Sequence, residues 1–159
     1  MNIHKLNRRI NSQILVELSL EILDQLTMDD KKILYLSLPN LNKNLDFFVI
    51  RFYYYFLQTK AGVLFKHTDI KRQYRMFHRS LNTLVTHLAE PKQVQEHLNA
   101  LIMTHQKYGV LPDYVDDFID SFMKALKEIY TDESDNEILN IWYKVVRELM
   151  IYFKKKLEN

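Results

Sequence analysis

The sequence predicts an all-α domain, and three observations carry that expectation. Apolar residues recur at three- and four-residue spacing along nearly the whole chain. The chain holds only 2 glycines and 3 prolines, too few for the hairpins and bulges of a sheet-rich fold. Hydrophobic residues make up 47 % of 159 residues, enough to bury one core of ordinary domain size.

The elements follow in order. Ile10, Ile14, Leu18, Ile22 and Leu26 form one stripe of an N-terminal helix. Thr27, Asp29 and Asp30 mark a break and a new start. The helix after it carries Ile33, Leu34 and Leu38 and is expected to end at Pro39. Leu45, Phe48, Val49, Phe52 and Phe56 mark the next, which stops near Gly62. Thr68 or Asp69 caps a long helix with Ile70, Tyr74, Phe77, Leu81, Leu84 and Leu88. Pro91 opens a helix with Val94, Leu98, Leu101 and Ile102, closed by Gly109. Pro112 opens another, with Val115, Phe118, Phe122, Leu126 and Ile129. Ser134 or Asp135 caps the last, with Ile138, Trp142, Val145, Leu149 and Tyr152. The sum is seven or eight helices with short connections, without internal repeat, low-complexity tract or linker.

Composition excludes several function classes. Without cysteine there are no disulfides, thiolate nucleophiles or cysteine-based metal sites, which fits a reducing cytoplasm. Two glycines cannot build a GxGxxG or Walker-type phosphate loop. The net charge is +2, and the basic residues are scattered along the sequence rather than striped, so no nucleic-acid footprint is expected. No apolar run approaches the length of a transmembrane span. Basic residues precede apolar ones at the start, as in a signal peptide. Glu17 and Glu21 interrupt the apolar part and no small-residue cleavage site follows, so the segment reads as a retained helix.

Three side chains invite a chemical reading. His105 follows Leu98, Leu101 and Ile102 at helical spacing and falls on an apolar face. It is either a core histidine bonded to a backbone carbonyl or a neutral imidazole facing a buried metal or cofactor. No HExxH or second histidine at zinc-ligand spacing accompanies it. Gln73 lies within the stripe of Ile70 and Phe77, as a helix-edge residue or as a polar group aimed into an apolar cavity. Tyr53, Tyr54 and Tyr55 are consecutive and point roughly 100° apart on a helix, so they cannot share one face; Tyr53, four after Val49, is the inward one. The acidic run Asp132–Glu137 lacks EF-hand spacing and reads as a solvated helix start.

These residues stand in a familiar order. The sequence His105-Gln-Lys-Tyr108-Gly109-Val110 resembles the proximal HxxYGV motif of globins. Leu64-Phe65-Lys-His-Thr68-Asp69-Ile-Lys-Arg-Gln73 resembles their LF…TD…Q segment, and Phe77 matches the apolar distal-wall position. Pro39 and Phe52-Tyr53 match the first-helix proline and the FY pair, and Glu137-Ile-Leu-Asn-Ile-Trp142 resembles ExLxAW. From Thr27 to Tyr152 the chain resembles the bacterial single-domain haemoglobins and the haem domain of flavohaemoglobins. The stretch between Tyr53 and Phe65 is two residues short of the family pattern and lacks its proline. A second register therefore places Arg51 where Tyr53 would be. The proximal glutamate of flavohaemoglobins matches Glu137, whereas the tyrosine completing that network matches Val115, with Tyr114 beside it.

The resemblance implies a three-over-three globin fold over residues 27–159, with residues 1–26 as an extra N-terminal helix. It implies haem b held by His105 as iron ligand, with Phe65, Phe77, Tyr108 and Val110 against the macrocycle and Tyr53 and Gln73 facing the gas. The implied function is reversible binding of dioxygen, with NO or CO as further ligands. Nitric oxide dioxygenation or gas sensing is the alternative, and an enzyme would need an external reductase. A haem-free helical interaction domain is the reading from another class. The stripe of the first 26 residues has to be covered by the chain itself, by a second copy in a homodimer or, least favoured, by a membrane surface.

Overall fold

A computed structural model describes residues 26–87 and 90–158. The N-terminal stripe Ile10, Ile14, Leu18 and Ile22 lies outside the described residues, as does Leu88. Among the described residues are six α-helices and two 3₁₀ turns and no strand. In chain order they are α1 (Met28–Lys43), α2 (Leu45–Phe56), a 3₁₀ turn (Lys60–Phe65), α3 (Ile70–Thr86), α4 (Pro91–Lys107), α5 (Tyr114–Lys127), a second 3₁₀ turn (Glu133–Asp135) and α6 (Asn136–Glu158).

The starts follow side-chain chemistry. Thr27 and Asp30 form a reciprocal capping box at α1. Asp69 accepts from the Lys71 and Arg72 amides at α3, so it is the cap rather than Thr68. The end of α1 needs correction. Helix α1 does not end at Pro39 but runs through it to Lys43. Pro39 is exposed, and the missing donor costs less than unpacking the next turn, where Leu41 is fully buried. Helix α6 begins at Asn136, directly after Asp135, and the 3₁₀ turn that leads into it starts from Asp132, which forms a capping box with Asp135.

Helices α1, α5 and α6 make one layer and α2, α3 and α4 the other, with α2 against α5, α4 against α6, and α1 reaching α2 and α3. Leu26, 6 % exposed, already belongs to the main core. An aromatic column fills that core: Phe48 meets Phe122 edge-on at 4.8 Å, and Phe52 meets Phe77 at 4.6 Å and Phe118 at 5.0 Å. A buried polar knot ties the first layer. Ser37 Oγ donates to the Leu34 carbonyl and accepts from Trp142 Nε1, and the Tyr130 hydroxyl donates to the Ser37 carbonyl. A second cluster, Ile102, Val115, Tyr152 and Phe153, packs between α4, α5 and α6.

Candidate functional site

The three tyrosines of α2 separate as helical geometry requires. Tyr53 is 3 % exposed, and its hydroxyl oxygen accepts from Gln73 Nε2 at 3.0 Å. Burial pushes the Tyr53 phenol up to about 12, so it keeps its proton near neutrality. Because Gln73 donates to this oxygen, the Tyr53 hydroxyl proton remains uncommitted. Tyr54 lies on the surface beneath the Arg51 guanidinium, 4.3 Å from its ring centre. Tyr55 donates to Glu128 at 3.1 Å.

Arg51 therefore does not occupy the inward position. It forms a two-pronged pair with Glu128, the C-cap of α5, at 2.7 and 2.8 Å. The bonded guanidinium holds the Glu128 carboxyl below its usual range. Tyr53 and Gln73, twenty residues apart, meet because α2 packs on the first turns of α3. Phe65 and Phe77 close on the same tyrosine, with ring centres at 5.8 and 5.6 Å. Both are half-buried. Gly62 makes the 3₁₀ turn before Phe65 possible, since any side chain there would run into the Leu57 carbonyl.

His105 sits at the end of α4, and the residues after it explain why. Tyr108 is the C-cap and Gly109 takes φ +69°, a left-handed conformation that suits glycine. That geometry lets the Val110 amide bond the His105 carbonyl at 3.2 Å and the Gly109 amide bond that of Gln106 at 3.2 Å, a Schellman motif. The motif His105–Val110 is thus a helix stop that fixes the histidine in the last turn. Gln106 Nε2 adds a bond to the Lys156 carbonyl of α6.

The ring itself is half-buried and edge-on to Phe153, at 5.2 Å between centres. Its Nδ1 lies 2.6 Å from the Leu101 carbonyl oxygen. A carbonyl only accepts, so Nδ1 carries a proton, and in the neutral ring Nε2 is the nitrogen that presents the lone pair. Among the described residues Nε2 has no hydrogen-bond partner. Glu137 is exposed in the first turn of α6 and does not form a bond to this ring.

Val110 is half-buried beside the motif, whereas Tyr108 is 74 % exposed and points to solvent. The other histidines serve elsewhere. His97 Nε2 and Ser80 Oγ pair at 2.7 Å across α4 and α3, and burial lowers the His97 pKa. His78 reaches Asp46 at 3.3 Å. Sequence reasoning missed Phe153 as the partner of His105. Its place four residues after Leu149 on the apolar stripe of α6 is the signal that could have found it. Tyr152 beside it is buried, its hydroxyl has no hydrogen-bond partner among the described residues, and burial raises its pKa to about 12.

The protonated Tyr53 phenol is thus backed by the Gln73 amide where α2 meets α3, and the His105 imidazole stands in the last turn of α4 with its Nε2 unbonded among the described residues. No curated protein matches the chain. A family model for globins matches residues 50–152, well over half of the sequence, and spans every one of these residues from Tyr53 to Phe65, Gln73, Phe77, His105 and Val110. The chain belongs to the globin family.

Proposed function

We propose that the chain binds haem through His105 and holds dioxygen reversibly on the side of Tyr53 and Gln73. Globins typically bind haem and, through it, small gases. The observation that carries the reading here is the His105 tautomer: Nδ1 is bound to the Leu101 carbonyl and Nε2 is left as a free donor of electrons. Among the described residues no group of three His, Cys, Asp or Glu could hold a metal ion. A lone imidazole would suit an iron held otherwise by a porphyrin. The donor set therefore fits haem b. When bound, that group supplies an iron whose open face takes a diatomic ligand.

The chain's own residues would do the rest. His105 is oriented by Leu101 and steadied by the Phe153 ring. Phe65, Phe77 and Val110 would lie against the macrocycle and exclude water. Tyr53 would donate its uncommitted proton to the outer atom of the ligand, and Gln73 would hold the phenol oxygen in place. Tyr108 would contribute little, being exposed. The neutral backbone partner of His105, in place of a carboxylate, favours gas holding over peroxidase-like electron push. Nitric oxide dioxygenation would need electrons from a separate reductase.

Haem titration into the purified chain tests the reading. One equivalent should bind and give an intense Soret band; no saturable band would refute it and leave the haem-free interaction domain. We further propose that residues 27–159 contain the whole haem site and that the N-terminal segment is an addition. Deleting residues 1–25, which keeps the buried Leu26, should preserve haem binding while changing mass in solution or solubility; loss of haem would refute it.

A further inference from the structure

Helix α3 displays charge of one sign only. Its exposed positions over the first turns are Lys71, Arg72, Arg75, Met76 and Arg79, and no acid occurs in the helix. Lys60 and Lys66, also exposed, continue the strip into the preceding turn. Asp69 is the one acid there, and its carboxylate is taken up by the amides it caps. None of these six cations has an ion-pair partner among the described residues.

The near-neutral total conceals this. Residues 113–137 carry nine acids against Lys124 and Lys127, so charge is segregated between α3 and the region from α5 to the start of α6. The cations that look scattered along the sequence are gathered by one helix face. Apolar side chains stand exposed among them: Val63 at 53 %, Leu64 at 41 % and Met76 at 47 %.

We propose that the 3₁₀ turn Lys60–Phe65 and the outer side of α3 form a peripheral docking surface for an anionic lipid bilayer. Unpaired Lys and Arg side chains match lipid phosphates in charge. Aliphatic tips between them need no shaped socket in the headgroup region, whereas a folded acidic protein would have to supply one. Among the exposed positions of this strip His67 carries the one aromatic ring, and no Phe, Tyr or Trp offers a row of stacking platforms for nucleic-acid bases. No helix among the described residues is long and apolar enough to cross a membrane, so the chain would lie on the surface. Gln73 is on the inner side of the same helix, so docking brings the proposed gas-binding wall next to the lipid phase, where apolar gases concentrate. The surface itself does not depend on haem being bound.

Sedimentation of the full chain with vesicles tests this. Vesicles of phosphatidylcholine and phosphatidylglycerol in equal parts should carry the protein down at low salt and release it at high salt, and phosphatidylcholine alone should not. Arg72→Gln with Arg75→Gln should weaken partition about thirtyfold, at roughly fivefold per cation near an anionic surface. Val63→Ser with Met76→Ser should weaken it severalfold at every salt concentration. All four positions are exposed, and circular dichroism checks that each variant folds. Failure to bind the anionic vesicles, equal binding to both compositions, or unaltered binding of the Arg72/Arg75 variant overturns the proposal. So does retention on soluble polyglutamate or duplex DNA without vesicle binding, which would assign the strip to a polyanion in solution.

Discussion

Removing the Tyr53 hydroxyl and the Gln73 amide, singly and together, separates two ways the pair can work. Gln73 Nε2 donates to the Tyr53 oxygen at 3.0 Å, which spends the amide on the tyrosine and leaves the phenolic proton for a ligand. Tyr53 is then the one direct donor and Gln73 acts through it. A hydrogen bond in a buried site contributes on the order of 1–1.5 kcal/mol, so Tyr53→Phe should speed dioxygen dissociation about tenfold. Gln73→Leu removes only the support of that donor, and bond-to-bond reinforcement of this kind is a fraction of a bond, so about two- to threefold is expected. In the Tyr53→Phe background, Gln73→Leu should add almost nothing. Stopped-flow displacement of dioxygen by CO, applied to all four proteins, gives the cycle. Multiplying effects would mean two independent donors and refute the relay. Unchanged rates throughout would remove Tyr53 and Gln73 from the ligand site.

Further consequences concern stability. Tyr152→Phe deletes a buried hydroxyl that has no partner among the described residues, so it should leave stability unchanged or raise it by up to about 1 kcal/mol in urea unfolding; a marked loss would reveal a hidden partner. Ser37→Ala takes the acceptor from the buried Trp142 Nε1 and should cost about 1–3 kcal/mol in the same assay, whereas no loss would deny the knot its role. The His97 pKa is lowered from 6.5 by burial, so the unfolded chain takes up a proton first and stability should fall as pH drops below about 6.5. His97→Gln should flatten that part of the stability-versus-pH curve; an identical slope would place the acid sensitivity elsewhere.

The fold was largely legible because helical spacing, scarce glycine and local caps all point one way. Thr27, Asp69, Pro91 and Gly109 mark boundaries by chemistry that works within a few residues. Pro39 misled because its cost is local while the burial of Leu41 that outweighs it is tertiary. The motif at His105 could be read as a motif, but its physical content, a helix stop built on one left-handed glycine, needed the backbone. The competing registers at Arg51 and Tyr53 could not be separated by spacing. Glu128, 77 residues away, draws Arg51 outward, and Gln73 meets Tyr53. The one-sided charge of α3 is local, with Lys71, Arg72, Arg75 and Arg79 inside nine residues, and it was masked by the near-neutral total of the whole chain.

The absorption spectrum of the ferrous, CO-bound protein, compared between the natural chain and two histidine variants, tests the central claim most directly. His105→Ala should abolish the stable histidine-ligated spectrum, while His97→Ala, whose ring is occupied with Ser80, should keep it nearly intact. A normal spectrum from the His105 variant, or its loss only in the His97 variant, would contradict the assignment of His105 as the iron ligand.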